Sequence, residues 1–315
     1  MATNDPKASE TSKQNEAARA AGSVQAPGKG LGTVGIWSGA IRTGDSPERD
    51  AEIADAVAEL DELGYGTIWI GGSPSVGQAL PLLAATSRAV IATGILNIWE
   101  HPAAEVAAQT VEANAAHDGR FLLGIGVSHS IAVPQYGRPY TAMKEYLAGL
   151  DAAATPVPKE QRVLAALGPK MLELSRDRAA GAHPYLVTAE HVAKARATLG
   201  EDAALAPELK VVLDDDLPRA REVARAYLDR YLQLPNYTKN LLRLGFEEED
   251  FAGGGSDRLL AAVFALGDAE TVRARVDEFH AAGADHVALQ TVTANAFTDL
   301  PLDQWRLLSD ALALT

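Results

Sequence analysis

The sequence has no cysteine, which excludes disulfide bonds, thiolate metal sites and a cysteine nucleophile. It also has no apolar run that approaches the roughly 20 residues needed to span a membrane as a helix. The first thirty residues are small and polar and lack the continuous apolar stretch of a secretory signal. We therefore expect residues 1–30 to be a disordered tail, residues 31–315 to form a single domain, and the protein to be cytoplasmic.

Basic residues are scarce in this chain. It contains 28 lysines and arginines against 42 aspartates and glutamates, which gives a formal net charge of −14. Nucleic acids and anionic membrane surfaces select basic patches, so neither is expected as a partner. Hydrophobic residues make up 47% of the 315 residues, enough to bury a large core. Composition and charge therefore favour a soluble protein.

Eight short apolar runs follow one another from residue 33 onward, and each is nearly continuous rather than alternating. This pattern is typical of parallel strands that are buried on both faces of a sheet. The predicted strands are 33–38, 67–72, 89–96, 120–126, 162–168, 183–188, 209–214 and 286–291.

Longer helical patterns separate these runs. Ser46 is placed to cap a helix over 47–63 and Asp268 to cap one over 269–282, and a glycine follows each helix. Eight strands with helical crossovers predict an α/β protein of the closed (β/α)8 TIM barrel type. An open doubly wound sheet is the alternative.

The stretch between the seventh and eighth predicted strands is too long for a single crossover helix. It contains a helical pattern over 216–232, a middle piece, and the helix over 269–282. Long insertions of this kind are usually lids or binding loops. Within the middle piece, "GGGSD" at 253–257 predicts a flexible joint.

In a parallel barrel the active site lies at the carboxyl ends of the strands, and here those ends are poor in acids and bases. They offer no paired carboxylates, no Ser-His-Asp order and no histidine cluster with metal-ligand spacing, so no metal site is expected. They are instead rich in glycine, serine, tryptophan and apolar residues. A flat aromatic ligand can approach such a surface closely, and the chemistry would then belong to a bound cofactor.

The segment "RFLLGIGVSH" at 120–129 carries the first two glycines of a dinucleotide-binding turn. The Rossmann motif requires a third glycine three residues later, at the start of a helix. That position is His129, so the motif fails and the segment is better explained as a strand that ends at a binding site.

A second glycine motif, "AALGPKM" at 165–171, places the end of a strand at Gly168 and the start of a helix at Pro169. The exposed N–H groups and the dipole of a helix start favour an anion. We expect a phosphate at this point, also in contact with the backbone of Val127 and Ser128 after the fourth strand.

Residues 89–129, "AVIATGILNIWEHPAAEVAAQTVEANAAHDGRFLLGIGVSH", resemble the core signature of the bacterial luciferase-like flavin and deazaflavin oxidoreductases. Further segments that resemble this family are 62–73, 138–150, 168–181 and 267–289. Together they span most of residues 31–315. Within the family, the chain looks most similar to mycobacterial-type members assigned to the deazaflavin coenzyme F420, and less similar to the flavin-mononucleotide (FMN) monooxygenases.

The resemblance implies a (β/α)8 barrel with an insertion late in the chain, and hydride transfer between coenzyme F420 and an unidentified organic substrate. It implies a cis peptide bond between Gly94 and Ile95, beneath the cofactor ring, and a homodimer. The cofactor-binding residues expected on this basis are Gly72, Ser73, Gly94, Ile95, Val127, Ser128, Leu167, Gly168 and Pro169. The residues expected to wall the substrate pocket are Trp37, Ser38, Asn97 and Trp99.

The chain departs from the deazaflavin sugar-phosphate dehydrogenases of this family at two places. Gly72 and Ser73 stand where those enzymes have Asp-His, and His129 stands where they have a glutamate acid. The sugar-phosphate reaction is therefore not expected. His129 remains as the titratable group at that strand end, suited to proton transfer near neutral pH, to contact with the cofactor or substrate, or to a purely structural role.

Two other functions are compatible with the same sequence. One is an FMN-dependent luciferase-like monooxygenase that works with a separate reductase. The other is a non-catalytic barrel that binds the cofactor, which the scarcity of acid–base residues at the strand ends favours.

Overall fold

The computed structural model describes residues 30–129 and 136–315. The disordered tail predicted for residues 1–30 thus lies outside the described residues, apart from Gly30. Within the two described ranges, no helix is both long enough and apolar enough to cross a membrane.

Apolar, largely buried runs form one sheet of eleven strands in the described part of the chain, and the paired strands are parallel. The strands are β1 (Val34–Ser38), β2 (Thr67–Ile70), β3 (Val90–Thr93), β4 (Leu96–Asn97), β5 (Phe121–Gly126), β6 (Arg162–Leu164), β7 (Gly181–Ala182), β8 (Ala204–Leu205), β9 (Glu208–Leu213), β10 (Phe264–Gly267) and β11 (Val287–Thr291).

The order of the strands in the sheet is β10-β9-β11-β1-β2-β3-β5-β6-β7-β8, and β4 pairs with β5. Strands β8 and β9 are two parts of one extended segment, separated by two residues. The first part pairs with β7 and the second with β11, so this segment connects the β8 end of the order to β9, the strand next to its other end. The chain therefore has an α/β fold in which a parallel sheet curls on itself.

The helices follow the strands along the chain, as the sequence predicts. They are α1 (Pro47–Glu62), α2 (Leu80–Ala85), α3 (Ala103–Ala116), α4 (Pro139–Asp151), α5 (Pro169–Arg178), α6 (Ala189–Leu199), α7 (Leu217–Leu232), α8 (Pro235–Arg243), α9 (Asp257–Val263), α10 (Ala269–Ala281) and α11 (Leu302–Leu312). The Ser46 side chain accepts a hydrogen bond from the Arg49 N–H, and Asp268 accepts one from the Thr271 N–H. Both predicted helix starts are confirmed, with the caps that satisfy their first N–H groups.

The largest apolar cluster lies between the strands and the helices. Ile36 and Ile68, on β1 and β2, belong to it together with Val57 and Leu60 of α1, and all four side chains are fully buried. Burying these faces stabilises the stacked layers of the fold.

The strand predicted over 183–188 is wrong. The structure has the two-residue strand β7 at Gly181–Ala182 instead, and the chain leaves the sheet just after it. Pro184 has no N–H with which to continue a ladder, and Leu186 adopts a positive φ of 56° that interrupts an extended run.

Two further strand predictions differ markedly in extent, and two strands were not predicted. The run over 89–96 is divided into β3 and β4 by the peptide bond between Gly94 and Ile95, which is cis as the resemblance implied. The run over 162–168 is a strand only as far as Leu164. Strands β8 and β10 were not predicted, because two and four residues carry too little pattern to stand out.

The late segment between β9 and β11 has an apolar cluster of its own, formed by helices α7, α8 and α9 with parts of the sheet. The predicted joint at 253–257 is a close-packed turn: a side chain on Gly254 would lie 2.8 Å from the carbonyl oxygen of Arg225. Ser256 then caps α9 by accepting a hydrogen bond from the Leu259 N–H. This packing places α8 beside the ends of strands β5 and β6.

Candidate active site

A cavity of about 430 Å³ lies at the carboxyl ends of the strands. Its lining comes from the turns after β2, β3, β5, β6 and β7, and from helices α7 and α8. Predicted site residues that line it are Trp37, Gly72, Ser73, Gly94, Ile95, Val127, Ser128, His129, Leu167 and Gly168. Residues that sequence reasoning did not single out, and that also line it, include His183, Tyr185, Tyr231, Asn236, Tyr237, Lys239 and Arg243.

Trp37 forms one wall of the cavity and is held rigidly. Its indole N–H donates to the carbonyl oxygen of Gly94 at 2.9 Å, and its ring centroid lies 5.1 Å from that of Tyr185. A Cβ atom on Gly71 would lie 2.5 Å from the indole ring, and one on Gly94 would lie 2.6 Å from the indole nitrogen. Glycine at these two strand ends therefore makes the space that the tryptophan fills.

Ser38, Asn97 and Trp99 do not line the cavity, because their polar atoms are directed to nearby groups. The Ser38 hydroxyl accepts a hydrogen bond from the Ala40 N–H at 3.1 Å. The buried Asn97 amide donates to Glu100 at 2.7 Å and accepts from the Trp99 N–H at 3.2 Å. The Trp99 indole donates to the Val127 carbonyl at 2.8 Å. These side chains support the cavity wall from behind.

Pro169 also lies outside the lining, one residue beyond Gly168. It is the first residue of α5, and Gly168 is the extended residue that precedes the helix. The helix start predicted from "GPK" is thus confirmed, with Gly168 rather than Pro169 at the cavity surface.

His129 follows the turn after β5, where Ser128 has a positive φ of 56°. Its Nδ1 lies 3.0 Å from Oδ1 of Asn236 on α8, and its ring lies 5.4 Å from that of Tyr237. Burial lowers the pKa of His129, and the hydrogen bond to Asn236 opposes part of this shift. The imidazole is therefore neutral near pH 7. With Nδ1–H donated to the Asn236 oxygen, Nε2 is the ring atom that can accept a proton.

Four tyrosines, Tyr185, Tyr227, Tyr231 and Tyr237, pack together on the side of the cavity formed by α7 and α8. The Tyr185 hydroxyl donates to the Gln290 amide oxygen at 2.7 Å and lies 3.0 Å from the hydroxyls of Tyr227 and Tyr231. Burial raises the pKa of each of these phenols. They stay protonated at neutral pH and form a fixed aromatic wall rather than a base.

A buried ion pair lies beneath this wall. The Lys210 ammonium is 2.7 Å from a Glu208 carboxylate oxygen and 3.7 Å from the centroid of the Tyr185 ring. Both charged side chains are fully buried. Burial raises the pKa of Glu208 and lowers the pKa of Lys210, while their mutual attraction opposes both shifts. The pair is shielded from solvent, and the contact of Lys210 with the ring helps to fix the position of Tyr185.

Two cations stand at the mouth of the cavity. Lys239 and Arg243 lie one turn apart on α8, and the Arg243 Nε–H donates to the Lys239 carbonyl at 3.1 Å. A Cβ atom on Gly168 would lie 3.7 Å from Nη1 of Arg243, so the guanidinium reaches the start of α5. Among the described residues, no aspartate or glutamate lines the cavity.

Known proteins share the fold of this chain, and one family matches most of its sequence. The sequence matches the luciferase-like monooxygenase family over residues 33–286. None of the curated proteins matches the sequence significantly.

Solved structures match the whole fold at low sequence identity. An F420-dependent secondary alcohol dehydrogenase in complex with an F420–acetone adduct is 13% identical with a TM-score of 0.66, over 89% of this chain and 98% of that one. The coenzyme F420-dependent tetrahydromethanopterin reductase from Methanopyrus kandleri is 17% identical with a TM-score of 0.65, over the same shares. The oxygenating constituent of 3,6-diketocamphane monooxygenase from Pseudomonas putida, in complex with FMN, is 14% identical with a TM-score of 0.59, over 89% and 97%. The family match covers most of the chain, and the protein therefore belongs to the luciferase-like monooxygenase family.

Proposed function

We propose that this protein is an F420-dependent oxidoreductase that exchanges a hydride between the deazaflavin and an organic substrate in the cavity. The lining of the cavity carries this proposal. It combines aromatic and apolar walls with a neutral histidine, and its described part contains no carboxylate that could serve as a paired acid and base. Such a lining supports a reaction whose reactive group is supplied by a bound cofactor.

The residues present fit such a cofactor. A volume of about 430 Å³ falls within the range of roughly 300–1,000 Å³ that is usual for cofactor sites. Gly72, Ser73, Gly94 and Ile95 would hold the ring. The tail phosphate would lie against Val127, Ser128 and the start of α5 at Leu167, Gly168 and Pro169, where helix geometry favours an anion. Coenzyme F420, when bound, supplies the hydride donor or acceptor.

His129 is the group that we assign to proton transfer. When a substrate alcohol is oxidised, its hydride leaves from carbon and its hydroxyl proton passes to Nε2 of His129. In the reverse direction the same atom returns the proton to the carbonyl oxygen. The hydrogen bond from Nδ1 to Asn236 keeps the ring in the tautomer that this role requires.

Trp37 and the tyrosine wall orient the ligand and exclude water. The Trp37 ring is immobilised by the Gly94 carbonyl and by Tyr185. Tyr231 and Tyr237, which both pack against Tyr185, continue the wall together with Asn236. A site walled by rigid side chains holds its ligand without reorganising when the reaction occurs.

The cofactor is tested by titrating the purified protein with F420 and, without oxygen, with reduced FMN, following the quenching of the protein's tryptophan fluorescence in both cases, and by measuring the rise of Tm that each cofactor produces. We expect F420 to bind more tightly and to raise Tm. A preference for FMN would identify the monooxygenase alternative, which the similarity to an FMN complex supports as a second candidate. Binding of neither cofactor would refute the proposal. Tight binding of F420 without turnover of any alcohol or carbonyl substrate would indicate the non-catalytic barrel.

The proposal also includes the finer features of the architecture. We take the curled sheet to be a (β/α)8 barrel and the segment between β9 and β11 to be its insertion. We take the protein to be a cytoplasmic homodimer that acts on a small molecule. Sedimentation equilibrium at several protein concentrations tests the dimer, and a single monomer mass throughout would rule it out.

A further inference from the structure

Helix α8 presents two cations to the cavity. Lys239 and Arg243 are separated by four residues, a spacing that places both on one face of a helix. Like charges at this spacing repel each other. Neither side chain forms an ion pair within the described residues, although the neighbouring arginines Arg219 and Arg225 on α7 each pair with an aspartate. The geometry therefore brings two unneutralised positive charges to the same opening.

The opposite side of the opening adds to this positive potential. The Arg243 guanidinium reaches Gly168 at the start of α5, where N–H groups point outward and the helix dipole is positive. Val127 and Ser128 complete the surface. The six residues that follow His129, at 130–135, contain no charged residue in their sequence.

The charge of the rest of the protein makes this local arrangement notable. The chain as a whole carries −14, so an anionic ligand meets a repulsive field elsewhere on the molecule. Cations gathered at one opening, without a carboxylate in the described lining, reverse that field where a ligand enters. An anion placed between Arg243, Lys239 and Gly168 would relieve the repulsion between the two side chains and accept hydrogen bonds from both.

We propose that Arg243 and Lys239 bind a phosphate or carboxylate group of the ligand, and that α8 thereby completes the anion site at the start of α5. The inference rests on the proposed function in taking the ring-bearing ligand to be the cofactor. The anion has two possible sources, which are the tail of the cofactor and an acidic group of the substrate. Both share the chemistry that a guanidinium recognises with paired hydrogen bonds.

The test compares Arg243→Gln and Lys239→Gln with the wild type. Fluorescence titration gives the Kd for F420 and for the deazaflavin riboside that lacks the phosphate and everything beyond it. We expect Arg243→Gln to raise the Kd of F420 about tenfold and to change the Kd of the riboside less than about twofold. Lys239→Gln should have a smaller effect of the same kind. FMN and riboflavin form a second pair that gives the same contrast.

Lys159→Gln is the matched control, because Lys159 is an exposed cation just before the amino end of β6, away from the start of α5, and does not line the cavity. It should change the Kd of F420 less than about twofold, as expected for a distant, screened charge. An equal loss of F420 affinity in Lys159→Gln would show that the general charge of the protein, rather than the mouth of the cavity, controls binding, and would overturn the inference.

The response to inorganic phosphate shows whether the site binds the tail of the cofactor or an acidic group of the substrate. If the site serves the substrate, Arg243→Gln leaves the affinities for F420 and the riboside unchanged. Phosphate then raises the Tm of the F420-bound wild type but not that of the variant. The inference is wrong if Arg243→Gln weakens the binding of F420 and of the riboside equally. It is also wrong if the variant leaves the Kd of F420, the Kd of the riboside and the Tm shift caused by phosphate all unchanged. If the wild type binds neither F420 nor FMN, the proposed function fails, and the phosphate response of the apoprotein still tests the anion site.

Discussion

Nδ1 of His129 lies 3.0 Å from Oδ1 of Asn236, which joins the turn after β5 to the first turn of α8. The two residues are more than one hundred positions apart in the sequence. The residue assigned to proton transfer is therefore oriented by the late segment rather than by the strand that carries it.

Replacing His129 with Gln should lower turnover with an alcohol substrate by about a hundredfold or more, the usual contribution of a positioned acid or base. The affinity for F420 should change less than about threefold, because the cofactor is held by other residues. Steady-state kinetics and a binding titration on the same preparation measure the two effects. Unchanged turnover would assign His129 a structural role.

The pH dependence of alcohol oxidation should follow the protonation of His129. Burial places the pKa of His129 below its ordinary value, which is about 6.5. The imidazole accepts a proton only at pH values above its lowered pKa. We therefore expect kcat to fall as the pH drops through that lowered pKa. Because the hydrogen bond to Asn236 raises this pKa, Asn236→Ala should move the acidic limb to still lower pH. A limb that stays in place in the variant would show that another group controls the profile.

Lys210→Met should destabilise the protein by about 3–5 kcal/mol, because it leaves the Glu208 carboxylate buried without its partner. The double variant Lys210→Met with Glu208→Gln removes the uncompensated charge and should recover part of this loss. Urea unfolding at pH 7 gives the free energy of unfolding for each protein. A single variant within about 1 kcal/mol of the wild type would contradict the prediction.

Acid should weaken the fold before the carboxylates titrate. Burial lowers the pKa of His183, His191 and His286 to about 4, whereas an unfolded histidine has a pKa of about 6.5. Between these values the unfolded chain binds more protons, so stability is complete above about pH 6.5 and falls as the pH drops toward 4. Each histidine contributes a slope of up to about 1.4 kcal/mol per pH unit.

Urea unfolding between pH 7 and pH 5 measures this slope. His286→Gln should flatten it, since the neutral His286 ring both donates to the Gly32 carbonyl and accepts from the Trp69 indole. A free energy of unfolding that is constant over this range would show that the three histidines are not buried in the neutral form.

Gly71→Ala should destabilise the protein by about 1–3 kcal/mol, because the new methyl group meets the Trp37 ring in a packed site. Gly77→Ala is a suitable control, since its nearest contact would be an ordinary 3.8 Å. Thermal unfolding of both variants measures the difference. A Gly71→Ala protein as stable as the control would mean that the Trp37 ring can move aside.

Local sequence signals predicted much of the fold. Ser46 and Asp268 fixed two helix starts because capping depends on neighbouring residues alone. Strands β1, β2, β5, β9 and β11 were found because long buried runs are strongly patterned. The strand over 183–188 was misplaced because its apolar letters belong to a buried loop, and the sequence does not distinguish a buried loop from a buried strand.

The sequence predicted the part of the candidate site that lies at the strand ends, but not the part that helix α8 contributes. Gly94, Val127 and Gly168 follow strands, and the ends of parallel strands must meet at one edge. Asn236, Lys239 and Arg243 come from a helix whose position depends on how the late segment packs, and no local pattern reports that. Glu208 and Lys210 did carry a signal, since two charged residues at alternate positions of a strand share one face. That face points into the interior of the curled sheet.

Helix α8 also sets the distance between two binding points in the cavity. Asn236 and Arg243 are seven residues apart on it, which is about 10 Å along the axis of a helix. One end of this distance holds the His129 ring, to which we assign proton transfer, and the other holds the proposed anion site. A ligand that serves both must be elongated and of matching span, and a compact anion can satisfy one end at a time. Lengthening or shortening α8 by a single residue would turn Arg243 by about 100° and so would change which molecules the cavity admits.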